Sequence, residues 1–371
     1  MQRCERQQRN LIWSASSLLV AGLALSAFNS GSTWAAQTPK QRTLLGVLGN
    51  SDSHAYADTV LLRGPHVRGG RFRKTTYQWT EALDRLRGRE IDQGGFGIHG
   101  TSARIAPVVR AFGLEGRTPR KRDFRYNFAW SGAGCDDLNV GTTRQTAGLL
   151  YLMRRESERW RDGVVVIRIG INSVGRQSDF DAYAAHGRTP EADGRIAGCI
   201  GQIKSAVSSI RAEHPTTKLV LVGICDEAGW PFKRSHWPLP EQHARIVSVL
   251  DHFDSLLRDF EKGDANIAFF DDRAWTRSYW GGNDAVDPQP KSVDFGGPVA
   301  VTATMGDHPR NAVLSDDHGG SVLNALWARD FIALVRTRFG VPLTPITQAE
   351  ISRLVDPDGG FGLAPQTNTA P

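Results

Sequence analysis

Short apolar runs alternate along the chain with longer stretches whose apolar residues recur every three or four positions. The runs are Leu44–Leu48, Phe124–Ala129, Val164–Ile169, Leu219–Gly223 and Ile267–Phe270. Val164-Val165-Val166-Ile167 is nearly unbroken and β-branched, as expected of a strand covered on both faces. Within 192–213, Ile196, Ile200, Ile203, Val207 and Ile210 keep helical spacing. Within 240–262 the stripe is Ile246, Val249, Leu250, Phe253, Leu256, Leu257 and Phe260. A last helix over 321–339 carries Leu323, Trp327, Phe331 and Leu334 on one side, and another is predicted around 77–88. Strands alternating with helices predict right-handed crossovers. The expected fold is α/β, a parallel sheet of about five strands with helices on both faces.

Two segments interrupt this alternation, 59–122 and 271–298, and read as insertions in a domain spanning 37–355. Residues 356–371 offer little to bury and are expected to form a disordered tail. At the other end, arginines precede the apolar stretch Leu18–Leu25 and the small residues that close on Ala35-Ala36. Residues 1–36 thus read as a secretory signal, too rich in serine for a permanent membrane span. The expectation is a secreted or periplasmic protein with no stable membrane insertion after cleavage.

Composition narrows the function classes. With 40% hydrophobic and 23% charged residues the chain is of ordinary globular type. Its formal charge of +6 includes Arg3, Arg6, Arg9 and Glu5 of the signal-like segment. What remains is too mild to argue for nucleic acid. The basic run Arg117, Arg120, Lys121, Arg122 and Arg125 reads as a solvated face, with an acidic glycan as the other option. Beyond Cys4, the cysteines Cys135, Cys199 and Cys225 permit at most one intramolecular disulfide. They form no Cys-x-x-Cys pair, so no structural zinc site is indicated.

Ligands of a parallel sheet bind beyond the carboxyl ends of its strands. There the sequence places Gly49-Asn50-Ser51-Asp52-Ser53, then Trp130-Ser131-Gly132-Ala133-Gly134, then Gly170-Ile171-Asn172-Ser173. Before the last helix stands Leu314-Ser315-Asp316-Asp317-His318-Gly319-Gly320. A serine held at a strand end, a late-loop histidine and a carboxylate supply nucleophile, base and orienting group for acyl transfer. Glycine N–H and asparagine amide groups supply donors for a tetrahedral oxyanion.

This ordered set resembles the SGNH (GDSL-type) hydrolase family over roughly residues 43–340. The resemblance implies a three-layer flavodoxin-like fold and an esterase without metal or organic cofactor. It implies Ser51 as nucleophile and oxyanion donor, Gly132 and Asn172 as further donors, and His318 as base. The family's acid stands three residues before the histidine, where this chain has Ser315. An extended segment would put Asp316 rather than Asp317 on the face of His318. Asp317, Ser315, Asp307 or a backbone carbonyl are the other options. His308, in Gly306-Asp307-His308-Pro309, competes as base, but His318 directly precedes the last helix.

Three other readings stand beside this one. Asp52-Ser53-His54 after a strand could open a two-metal phosphoesterase site, although further ligands at a recognised spacing are missing. A carbohydrate-binding domain could keep the fold without catalysis. An acyltransferase would use the same acyl-enzyme. Trp230, Trp237, Trp275, Tyr279 and Trp280 follow the fourth and fifth strands; Trp275 and Trp280 are the candidates for stacking on a sugar, with loop packing the alternative.

Overall fold

The structure, a computed structural model, describes residues 41–282 and 290–365. The signal-like segment 1–36, and the export it implies, lie outside the described residues. Five strands build the central sheet: β1 (Thr43–Gly49), β2 (Ile91–Asp92), β3 (Val164–Arg168), β4 (Lys218–Val222) and β5 (Ile267–Phe270). All pairings are parallel and the order is β2-β1-β3-β4-β5, the order of flavodoxin-like sheets.

Strict alternation within these strands divides the core. Leu44, Leu48, Val165, Ile167, Leu219 and Leu221 face one side, where they meet α2 (Gln145–Met153), α3 (Gln177–His186), α4 (Pro190–Glu213) and α5 (Pro240–Arg258). Leu45, Val47, Val164, Val166, Val220 and Val222 face the other, against α1 (Trp79–Arg87), α7 (Ser321–Phe339) and α8 (Gln348–Val355). The predicted helices are thus present, with the 240–262 stripe closing in a 3-10 turn at Asp259–Gly263. The segment 271–298 opens with a further helix, α6 (Asp272–Trp280). No helix among the described residues is long and apolar enough to cross a membrane.

Three expectations need correction. Phe124–Ala129 is not one strand: Lys121–Phe124 pairs antiparallel with Phe96–His99 inside the 59–122 insertion. Only the residues that follow reach β1, where Val47 N–H donates to Tyr126 O and Phe128 N–H to Val47 O. The basic run is not wholly solvated. Lys121 is 1% exposed, bonded to Asp123 and to the Ala129 carbonyl, while buried Arg117 caps the carbonyls of Arg125 and Asn127. Nor is the chain idle from 356 onward. Asp356 accepts from Phe361 N–H and Leu363 N–H and so turns Leu363 into the core, where it is fully buried. Residues 366–371 lie outside the described residues.

Where β1 meets β3 the backbones are in close contact. A Cβ added at Gly49 would lie 2.4 Å from the Arg168 carbonyl oxygen, a backbone atom of the central strand that cannot step aside. Gly49 is also clamped by Gln145, which accepts its N–H at 2.8 Å and donates to its carbonyl at 2.9 Å. Gly49→Ala is therefore expected to lower the unfolding free energy by about 1–3 kcal/mol through overpacking, read as a shifted urea midpoint at unchanged slope.

Candidate active site

The chain leaving β1 enters a single 3-10 turn, Ser51–Ser53. Asn50 caps it through its side-chain oxygen, which accepts Asp52 N–H at 3.0 Å. Arg168, the last residue of β3, holds the turn from below: its carbonyl accepts Asn50 N–H and its guanidinium donates to the Asp52 carbonyl at 3.1 Å. That buried guanidinium is neutralised by Asp272 at 2.9 Å, which also accepts from Trp327 Nε1. Ser51 is thereby fixed at the carboxyl edge of the sheet, 9% exposed.

The chain leaving β3 makes a helical turn, Ile171–Val174, and is laced to the 131–135 turn. Asn172 Nδ2 donates to the Ala133 carbonyl at 3.0 Å, and Cys135 N–H donates to Ser173 Oγ at 2.9 Å. Gly132 needs to be glycine for its backbone, with φ at +94°, since a Cβ there would meet the Trp130 ring only at ordinary contact distance, 3.7 Å. The Cys135–Cys199 disulfide ties the same turn to α4. Cys225 stays free, its thiol pushed up by burial and so not a ready thiolate.

Ser51, Gly132, Asn172, Asp316 and His318 all line one cavity of about 750 Å³. Its wall is completed by Leu61, Leu62, Pro65, His66, Arg68 and Pro119, all from the 59–122 insertion. The histidine loop is a closed turn rather than the extended segment anticipated. Leu314 N–H donates to the His318 carbonyl, and Asp317 at φ +66° reverses the chain. Asp316 is thereby brought back over the imidazole: His318 Nδ1 lies 2.9 Å from the Asp316 carbonyl and 3.1 Å from its carboxylate. Asp316, of the candidates considered, orients His318. Asp317 points to Lys233 at 2.9 Å, and Asp307 is taken by Ser315. His308 packs edge-on against Phe72 and Phe361 and does not line the cavity.

Sequence reasoning missed Arg68. Its side chain is 3% exposed; Nε donates to Asp316 at 3.2 Å, and NH2 reaches Ser131 Oγ at 3.2 Å and His318 Nε2 at 2.8 Å. A guanidinium has no acceptor, so His318 Nε2 carries the lone pair and Nδ1 the proton. From Ser131 the chain of bonds continues into the core. Ser131 Oγ lies 2.9 Å from His54 Nδ1, and His54 Nε2 lies 2.8 Å from Asp58. His54 is fully buried, and desolvation lowers its pKa despite Asp58, so the ring is neutral. The two rings, His54 and His318, are thus joined through Ser131 and Arg68. No local motif marks Arg68; it arrives from an insertion whose path the sequence pattern leaves open.

Other expectations fare differently. Trp280 is 0% exposed in the core, and Trp275 is pinned by Asp330 at 2.9 Å between α6 and α7. Neither lines the cavity: Trp275 and Tyr279 are both held to Asp330 of α7, and Trp130 is the tryptophan in the lining. His54 has both ring nitrogens engaged away from Asp52. Among the described residues no three His, Cys, Asp or Glu side chains are grouped to hold a metal ion.

Fold and site together define an α/β protein with its cavity at the reversal point of a parallel sheet. No protein-family model matches the chain, and no curated protein matches it either.

Burial opposes ionisation of Asp316, yet the hydrogen bond from His318 and the charge and bond of Arg68 hold its carboxyl down at about 2. Against an unfolded value of about 4, a lowered pKa adds stability above pH ~4 that is lost as pH falls toward 2. Asp316→Asn is expected to lower Tm at pH 6, with the gap from wild type closing by pH 2; a gap constant with pH would contradict the pairing.

Proposed function

We propose that this protein is an exported serine esterase of SGNH type that works through an acyl-enzyme on Ser51. The observation that carries the reading is convergence. Residues from four separate segments, Ser51, Gly132, Asn172 and His318, line one cavity, with the Nδ1 proton of His318 held by Asp316. In this mechanism His318 Nε2 takes the Ser51 proton as Oγ attacks an ester carbonyl. The N–H groups of Ser51 and Gly132 and the Asn172 amide stabilise the oxyanion. His318 then protonates the departing alcohol, and water resolves the acyl-enzyme by the reverse sequence. An alcohol acceptor in place of water would make the same site a transferase.

One observation favours a second reading for the nucleophile. Ser131 Oγ already has a neutral imidazole at 2.9 Å, itself oriented by a carboxylate, and a guanidinium to stabilise its alkoxide. Ser131 also lines the cavity.

Peptide mapping after reaction with a fluorophosphonate separates the two. Label is expected on Ser51 and is lost in Ser51→Ala; label confined to Ser131 would transfer the role, and no label on folded protein would defeat both. Asn172→Ala is expected to reduce kcat on short p-nitrophenyl esters by about 10²–10³ with little change in KM. An unchanged kcat would remove Asn172 from the oxyanion site.

A further inference from the structure

The base in this mechanism needs the lone pair on His318 Nε2, and Arg68 occupies it at 2.8 Å. The two roles exclude each other. An imidazole nitrogen that accepts from a guanidinium cannot at the same time accept the proton of a serine hydroxyl. Productive chemistry therefore requires Arg68 NH2 to find a better acceptor than a neutral imidazole.

The guanidinium is poorly satisfied where it stands. Arg68 NH1 is buried and has no hydrogen-bond partner, although a charged donor left unpaired inside a protein is costly. The carboxylate beside it, Asp316, is shared with His318. The ring of Tyr56, 4.8 Å from the guanidinium carbon, supplies a flat support and no acceptor. The other carboxylates of the cavity, Asp52, Asp317 and Glu227, make no bond to Arg68: Asp317 is paired with Lys233 at 2.9 Å, and half-buried Glu227 stands 3.8 Å from the same lysine. His66 and Arg176 add donors to the cavity lining.

We propose that Arg68 is a specificity-determining residue that receives an anionic group of the substrate, a carboxylate near the scissile ester, and in doing so releases His318 Nε2. A planar carboxylate accepts two parallel N–H bonds from a guanidinium, so it draws NH2 off the imidazole and occupies the unpaired NH1. The substrate class is then an ester of an acidic molecule rather than of a neutral one. The inference rests on the esterase reading for its kinetic consequence, but its binding consequence stands without turnover.

The test uses meta-acetoxybenzoate and meta-acetoxybenzamide, two acetate esters of like size that differ in charge. Calorimetry on Ser51→Ala is expected to show the carboxylate bound about ten- to a hundredfold more tightly than the amide. Ser51→Ala/Arg68→Gln should bind the two equally, while Ser51→Ala/Arg68→Lys should keep part of the preference. Circular dichroism and Tm establish that each variant is folded. In wild type, kcat/KM should favour the carboxylate by a similar factor. Equal or weaker binding of the carboxylate by folded Ser51→Ala would overturn the inference whatever the turnover. A binding preference without ester cleavage would keep the anion subsite and defeat the esterase reading instead. Competition by inorganic phosphate or sulfate as strong as that by benzoate would reassign the subsite to tetrahedral oxyanions and overturn the carboxylate.

Discussion

The parallel pairing of β1 with β3, from Leu45 opposite Val164 to Gly49 opposite Arg168, is the constraint on which the site depends. At this pair the sheet order reverses. The chain leaving β1 heads toward the α1 side and the chain leaving β3 toward the α3 and α4 side. The two connections diverge, and the gap between them becomes a cavity. Gly49 permits the close approach, Gln145 locks it, and Arg168 carries the contact upward into the Ser51 turn. A side chain at Gly49 would push apart the two strand ends that present Ser51 and Asn172.

Electrostatics inside the cavity follow from burial and from the placement of two arginines. Arg168 lies beneath the serine turn with its charge met by Asp272. Arg68 lies within the wall, with its charge met only in part by Asp316 and its NH2 resting on His318 and Ser131. Both histidines of the cavity network are orientationally fixed because each has one partner that can only donate or only accept. Asp58 accepts from His54 Nε2–H, and Arg68 donates to His318 Nε2.

Much of the architecture could be read along the chain. The short apolar runs Leu44–Leu48, Val164–Ile169, Leu219–Gly223 and Ile267–Phe270 marked four strands of the sheet, and the structure divides their side chains between its two faces. The helical stripes placed α4, α5 and α7 within a few residues. The strand-end rule led to Ser51 and Asn172, and to Gly132 through a run that is not itself a strand; helix placement led to His318, and all four line one cavity. Phe124–Ala129 misled because composition cannot say which partner a short apolar run will pair with, and its first residue joins a hairpin of the insertion. Trp275 and Trp280 misled because position after a strand does not specify which way a helix will turn; α6 lies against α7.

By itself the sequence determined four of the five strands of the sheet, its main helices and the polar residues beyond the strand ends, because strand and helix periods act over a few neighbouring residues; the two-residue edge strand Ile91–Asp92 is too short to show such a period. Only the tertiary structure decided that Asp316 rather than Asp317 meets His318, since a left-handed residue at 317 sets the turn. It alone decided that Lys121, Asp58 and His54 belong to the core and that Arg68 rests on the base. Arg68 and His318 stand 250 positions apart. Such a contact depends on how an insertion folds back over the sheet, and no local period encodes that path.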